Sequence, residues 1–217
     1  MKRFNNAFTL TELLVALGVV AILCAILMPV IFNLIPNQNT IMAKRAYYTI
    51  QTIVSELIND EACYPDKTSS VTDRRIGFDD GAGTANCLEW TNTGSTDSAG
   101  KFKTLFRDKL GLDGSADNFD TADGIQWKFS NAAFNSGNTT GGSIKLSVDV
   151  NGEEDPNCSN TNNYNTELGS GGSNCSSRKS GFDRFQVTIY GNGKVEINSS
   201  DKWAIEAVKV SKSLTED

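Results

Sequence analysis

Three groups of residues in this 217-residue chain could do chemistry. The first is a lone carboxylate, Glu12, at the head of a stretch from Leu13 to Ala43 that holds no charged side chain. A carboxylate near the centre of a bilayer costs about 2.5–3.5 kcal/mol and less at the interface, so Glu12 calls for a partner. The second group is the cysteines. Cys24 lies inside the apolar stretch and reads as a small apolar residue there, whereas Cys63, Cys87, Cys158 and Cys175 follow it with no CxxC spacing, which favours disulfides over metal ligation. Four cysteines allow three pairings. The sequential one, Cys63 with Cys87 and Cys158 with Cys175, closes the shortest loops. The third group is Asp149, Asn151, Glu153 and Asp155, joined from further along by Asp183. Oxygen ligands at alternate positions on a Gly-containing turn suit a hard cation such as calcium, although the full EF-hand loop is missing. The same residues also read as an Asx-rich turn that caps its own backbone. Histidine is absent, and there is no GxSxG, HExxH or P-loop, so no enzymatic activity is expected.

The element that must position Glu12 is a helix. Residues 13 to 35 are long and apolar enough to cross a bilayer as one α-helix. Lys2 and Arg3 are the only charges ahead of Glu12 and should stay cytoplasmic, which sends everything after Ile35 outward. An ordinary signal peptide fits poorly, because the apolar run exceeds an h-region of roughly 7–15 residues and no A-x-A pattern closes it before Pro36. A plain signal anchor accounts for the length but not for the order of residues Phe8, Thr9, Leu10, Thr11, Glu12 and Leu13.

That order, together with Ala7 and Leu14, resembles the class III signal of type IV pilins and type II secretion pseudopilins. The resemblance covers the first 50 to 60 residues. It implies cleavage on the cytoplasmic side between Ala7 and Phe8 by a prepilin peptidase, N-methylation of Phe8, and retention of the apolar helix in the mature chain. Ala7 stands where the family usually has Gly. Pro29 matches a helix-kinking proline that many members carry. The resemblance further implies pairing of Glu12 with the amine of a neighbouring subunit, and as partners sister subunits, an inner-membrane platform protein and an assembly ATPase. Its fold expectation is α+β: a long N-terminal helix, membrane-spanning and then amphipathic, packed on an antiparallel sheet. The implied organisation is a leader over 1–7, a membrane and polymerisation segment over 8–36, and a head outside the cytoplasm over 37–217. The implied location is the inner membrane as a single-pass protein, then a surface pilus or periplasmic pseudopilus. Major pseudopilins carry calcium in a comparable C-terminal loop, so calcium is an expectation on this ground as well. A minor pseudopilin of a type II secretion or DNA-uptake filament and a monomeric membrane-anchored adhesive head are the alternatives.

The rest of the chain is consistent with one modest exported domain. Its net charge of −6 offers nucleic acid no overall attraction. Ala43, Ala46, Tyr47, Ile50, Ile53, Val54, Leu57 and Ile58 recur at the three-and-four spacing of an amphipathic helix, which, continuous from Phe8 to about Asp60, would reach near 80 Å. Asp66 to Gly100 reads mostly as loop, with Cys87, Leu88 and Trp90 as anchors. A short helix is expected from Asp97 or Ser98 to Gly111. Four strands are expected around residues 125–129, 144–150, 185–189 and 195–197, with a hairpin turn at Gly191, Asn192 and Gly193. A terminal helix should carry Trp203, Ala207, Val210 and Leu214, with Ser200 as its N-cap.

Overall fold

A computed structural model describes residues 10–34, 38–65, 77–79, 81, 85–91, 97–114, 116–130, 134, 142–152, 154, 156–159 and 181–209, with residues 26–34 described by backbone alone. The chain divides into two compact units, Met1–Asn37 and Gln38–Asp217.

The described part of the first unit is one helix, α1 (Leu10–Leu34), 25 residues long, with Glu12 in its first turn. Every described side chain on it, residues 10–25, is exposed. Among the described residues, no helix is long and apolar enough to cross a membrane. The side chains described on α1 stop at residue 25, whereas its backbone continues to Leu34.

The second unit opens with α2 (Gln38–Ile58), whose residues Ala43, Ala46, Ile50, Ile53, Val54 and Leu57 are buried. The expected 3.6-residue stripe is the face it turns to the core. After a turn in which the Asp60 carboxylate accepts from the amides of Ala62 and Cys63, the chain is tied down at separate points. Phe78 is fully buried against Tyr64, Phe102 and Phe134, and Trp90 donates its indole N–H to the Gly81 carbonyl at 3.0 Å. Leu88, expected as an anchor, is instead 78% exposed. It sits on a tight turn whose ends, Cys87 and Trp90, already occupy the interior side.

Helix α3 (Ser98–Lys109) starts on Asp97, which accepts the Gly100 N–H at 2.9 Å, and stops before Gly111, whose φ of +74° ends the helix without steric cost. Its residues Phe102, Leu105 and Phe106 enter the core. The sheet is an antiparallel meander in the order β1-β2-β3-β4-β5: β1 (Asn118–Asp120), β2 (Gln126–Phe129), β3 (Ser143–Asp149), β4 (Arg184–Tyr190) and β5 (Val195–Ile197). β1 was not expected; a three-residue strand with one apolar side chain leaves no alternation to detect. Phe119, Trp127, Phe129, Ile144, Leu146, Val148, Phe185, Val187 and Ile189 join one hydrophobic core with α2 and α3. The Tyr190–Lys194 hairpin places Gly193 at φ +81°, and a Cβ there would lie 3.1 Å from Ile58 Cδ1. Helix α4 (Lys202–Lys209) is capped by Asp201, which accepts the Ala204 N–H at 3.0 Å, rather than by the expected Ser200. Ser200 instead hydrogen-bonds Asn198. Val210 and Leu214 lie outside the described residues.

Candidate assembly helix and the polar clamp of the head

Helix α1 is apolar on every side, so no face of it is marked for a core of its own. Leu10, Leu13, Leu14, Val15, Leu17 and Ile22 are each more than half exposed. A helix of that kind is stable only when lipid or other protein covers it. Glu12 interrupts the apolar surface on the first turn, where Thr11, Glu12, Val15 and Ala16 line a shallow depression. The helix N-terminus carries partial positive charge, which favours a carboxylate at this position. Ala7 and Phe8, the expected processing residues, lie outside the described residues. Cys24 is an exposed free thiol, alone among the described cysteines.

In the head, Cys63 and Cys87 form a disulfide across 24 residues. Cys158 is also disulfide-bonded, and Cys175 lies outside the described residues. Among the described residues, the one grouping of side chains with metal-ligating atoms in reach of each other is Cys63, Cys87 and Glu89. The two sulfurs there are bonded to each other and leave no thiolate for a metal. Beside this disulfide, Lys101 is fully buried, donates to the Cys63 carbonyl and lies 4.4 Å from the centre of the Tyr64 ring.

The acidic residues expected to hold calcium fall into two sets. Glu153 and Asp155 lie outside the described residues. Asp149, Asn151 and Asp183 are brought together, but around a side chain that the sequence reading did not include. Asp149 ends β3 directly opposite Arg184, the first residue of β4. The Arg184 Nε donates to Asp149 Oδ2 at 2.5 Å and its Nη2 to Asn157 Oδ1 at 2.7 Å. Asp183 is spanned by main chain: Cys158 N donates to Oδ1 at 2.5 Å and Asn157 N to Oδ2 at 2.7 Å. Asn151 adds a side-chain hydrogen bond to the same carboxylate. Cys158 O in turn accepts from the amides of Asp183 and Arg184, each at 3.0 Å, and Ser159 bridges Arg184 in parallel. Asn157 holds φ +51°, a conformation that Asn tolerates better than most residues and that aims two successive amides at one carboxylate. Asp149, Asp183 and Arg184 are all at most 2% exposed. Burial pushes the Asp149 carboxyl up to about 6 despite the opposing pull of Arg184. It raises Asp183 as well, against the amides of Cys158 and Asn157. Calcium takes six to eight oxygens. The carboxylate oxygens named here already receive a guanidinium or backbone amides, so the described part of the set does not fit the ion. The signal that could have revealed this is Arg184 beside Asp183, but its meaning depends on a register that no local pattern displays.

A family model described as the prokaryotic N-terminal methylation motif matches residues 2–28. Comparisons with curated proteins and with solved structures find no match. The matched stretch contains Ala7, Phe8 and Glu12 and runs into α1. The chain thus carries, at its N-terminus, the methylation signature of type IV pilins and pseudopilins.

Proposed function

We propose that this protein is a structural, non-enzymatic subunit of a type IV pilus or pseudopilus, cleaved between Ala7 and Phe8, N-methylated on Phe8 and polymerised through α1. One observation carries the reading: the methylation motif falls on the start of a helix whose described side chains are all exposed and almost all apolar. A helix of 25 residues is about 37 Å long, more than the ~30 Å of a bilayer's hydrocarbon core. Before assembly α1 spans the inner membrane once, with residues 1–7 as the cytoplasmic leader, 8–36 as the membrane and polymerisation segment, and 37–217 as the head outside. In the filament, α1 helices of sister subunits cover one another. The prepilin peptidase, a platform protein and an assembly ATPase serve it on the way.

Glu12 has a specific part in this account. Cleavage before Phe8 creates an amine, and in a stack of staggered helices the amine of an incoming subunit meets Glu12 of a neighbour, neutralising both in a low-dielectric setting and setting axial register. Glu12→Ala should therefore insert and be cleaved, yet reach sheared filament fractions at a small fraction of wild-type yield in cells lacking the native copy. Wild-type yield would remove the pairing role. The same fractionation separates the alternatives. A minor pseudopilin of a type II secretion or DNA-uptake filament would appear in the fraction at trace stoichiometry, and a monomeric adhesive anchor would stay with the membranes.

A further inference from the structure

The acidic stretch at the end of β3 has the residue types of a calcium loop, yet its fold supplies a cation from within the chain. We infer that Arg184 stands in for a divalent ion in the head, so that the junction of Asp149, Asn157 and Asp183 closes without metal. This goes beyond the proposed function, which concerns α1. Four observations converge on it. Asp149 and Arg184 are direct partners in the β3–β4 register and are joined at 2.5 Å. The guanidinium is 3% exposed by side chain and reaches a second element through Asn157 Oδ1 at 2.7 Å, as a bridging ion would. Asp183 is neutralised in part by two successive backbone amides, from Asn157 and Cys158. The surroundings of this junction are built for buried polar pairing: Gln186 donates to Ser147 at 2.8 Å two register pairs along the same strands, with both residues buried.

The consequence is directional. Breaking a buried pair by removing one partner leaves an uncompensated charge, whereas removing both leaves none. Arg184→Gln should lower the melting midpoint of the head by about 10 °C. Asp149→Asn combined with Arg184→Gln should recover much of that loss. Arg184→Lys keeps the charge but not the fork and should fall between.

The test uses the full chain in detergent, its head followed by near-ultraviolet circular dichroism, with excess calcium chloride or excess chelator. Direct calcium binding is measured by equilibrium dialysis. The expected result is one midpoint for the wild type in both media, no stoichiometric calcium, and the order wild type, double variant, Arg184→Lys, Arg184→Gln. A wild-type midpoint several degrees higher in calcium, or one calcium bound per chain, would overturn the inference. If Arg184→Gln does not fold, the wild-type calcium response and the Arg184→Lys midpoint still decide it. Loss of the proposed assembly role would leave all these results unchanged.

Discussion

Helices α1 and α2 make opposite use of the same kinds of residue. In α1, the described leucines and valines are exposed; in α2, six apolar residues on one face are buried. The head therefore contains the partners that stabilise it, whereas every described side chain of α1 is exposed. Stability and assembly should respond to separate sets of mutations.

The largest contrast comes from cutting back one apolar residue in each region. Phe106 is fully buried, with its ring 5.4 Å from Phe129 and 6.4 Å from Trp127. Phe106→Ala should cost about 3–5 kcal/mol and lower the head's melting midpoint accordingly. Leu17→Ala, at a position 63% exposed, should leave that midpoint unchanged while weakening retention in filaments. A head that melts earlier on Leu17→Ala would break the separation. Next in size is the disulfide. Replacing Cys63 and Cys87 by Ser releases a loop of 24 residues' separation and should cost about 3 kcal/mol by the chain-entropy account, again without altering cleavage before Phe8. Chemical denaturation of the double variant measures it.

Acidity should also act on the head. Asp149, Asp183 and Asp201 are buried, and burial raises all three carboxyls. An acid with a raised folded pKa contributes stability that is fully present below its unfolded pKa and lost as pH rises through the folded value. For Asp201, where no cation opposes the effect of burial, that decline begins above its ordinary value of 3.8. The head's melting midpoint should carry this decline as pH rises. Asp201→Asn keeps an acceptor for the Ala204 amide and removes one ionisation, so the decline should become shallower. Asp201→Ala also removes the cap and should cost about 1 kcal/mol at any pH. An unchanged slope in Asp201→Asn would mean that Asp201 contributes nothing to the pH response.

Features written in neighbouring residues were legible. The stripe of α2, the Asp97 cap, the stop at Gly111 and the turn at Gly193 each follow from spacing or from a residue's conformational range. The methylation signature was legible for the same reason, since it occupies one short stretch at the N-terminus that runs into α1. Long-range pairing was not. Arg184 and Asp149 are 35 residues apart, and only the strand register makes them neighbours. Lys101 reads as a surface residue by type and is buried because the Cys63 carbonyl and the Tyr64 ring receive it. Ser200 and Asp201 are both good caps, and the choice between them rests on where α4 begins.

The central claim is that this chain is a processed pilin-type subunit, and the mass of the mature protein tests it most directly. Intact-mass analysis of protein purified from the membranes of a producing cell with its native peptidase should give a chain that lacks residues 1–7 and carries one added methyl group, on Phe8. A chain beginning after Ile35 would show removal of an ordinary signal peptide, and one still carrying residues 1–7 would show an unprocessed anchor. Either result would contradict the account.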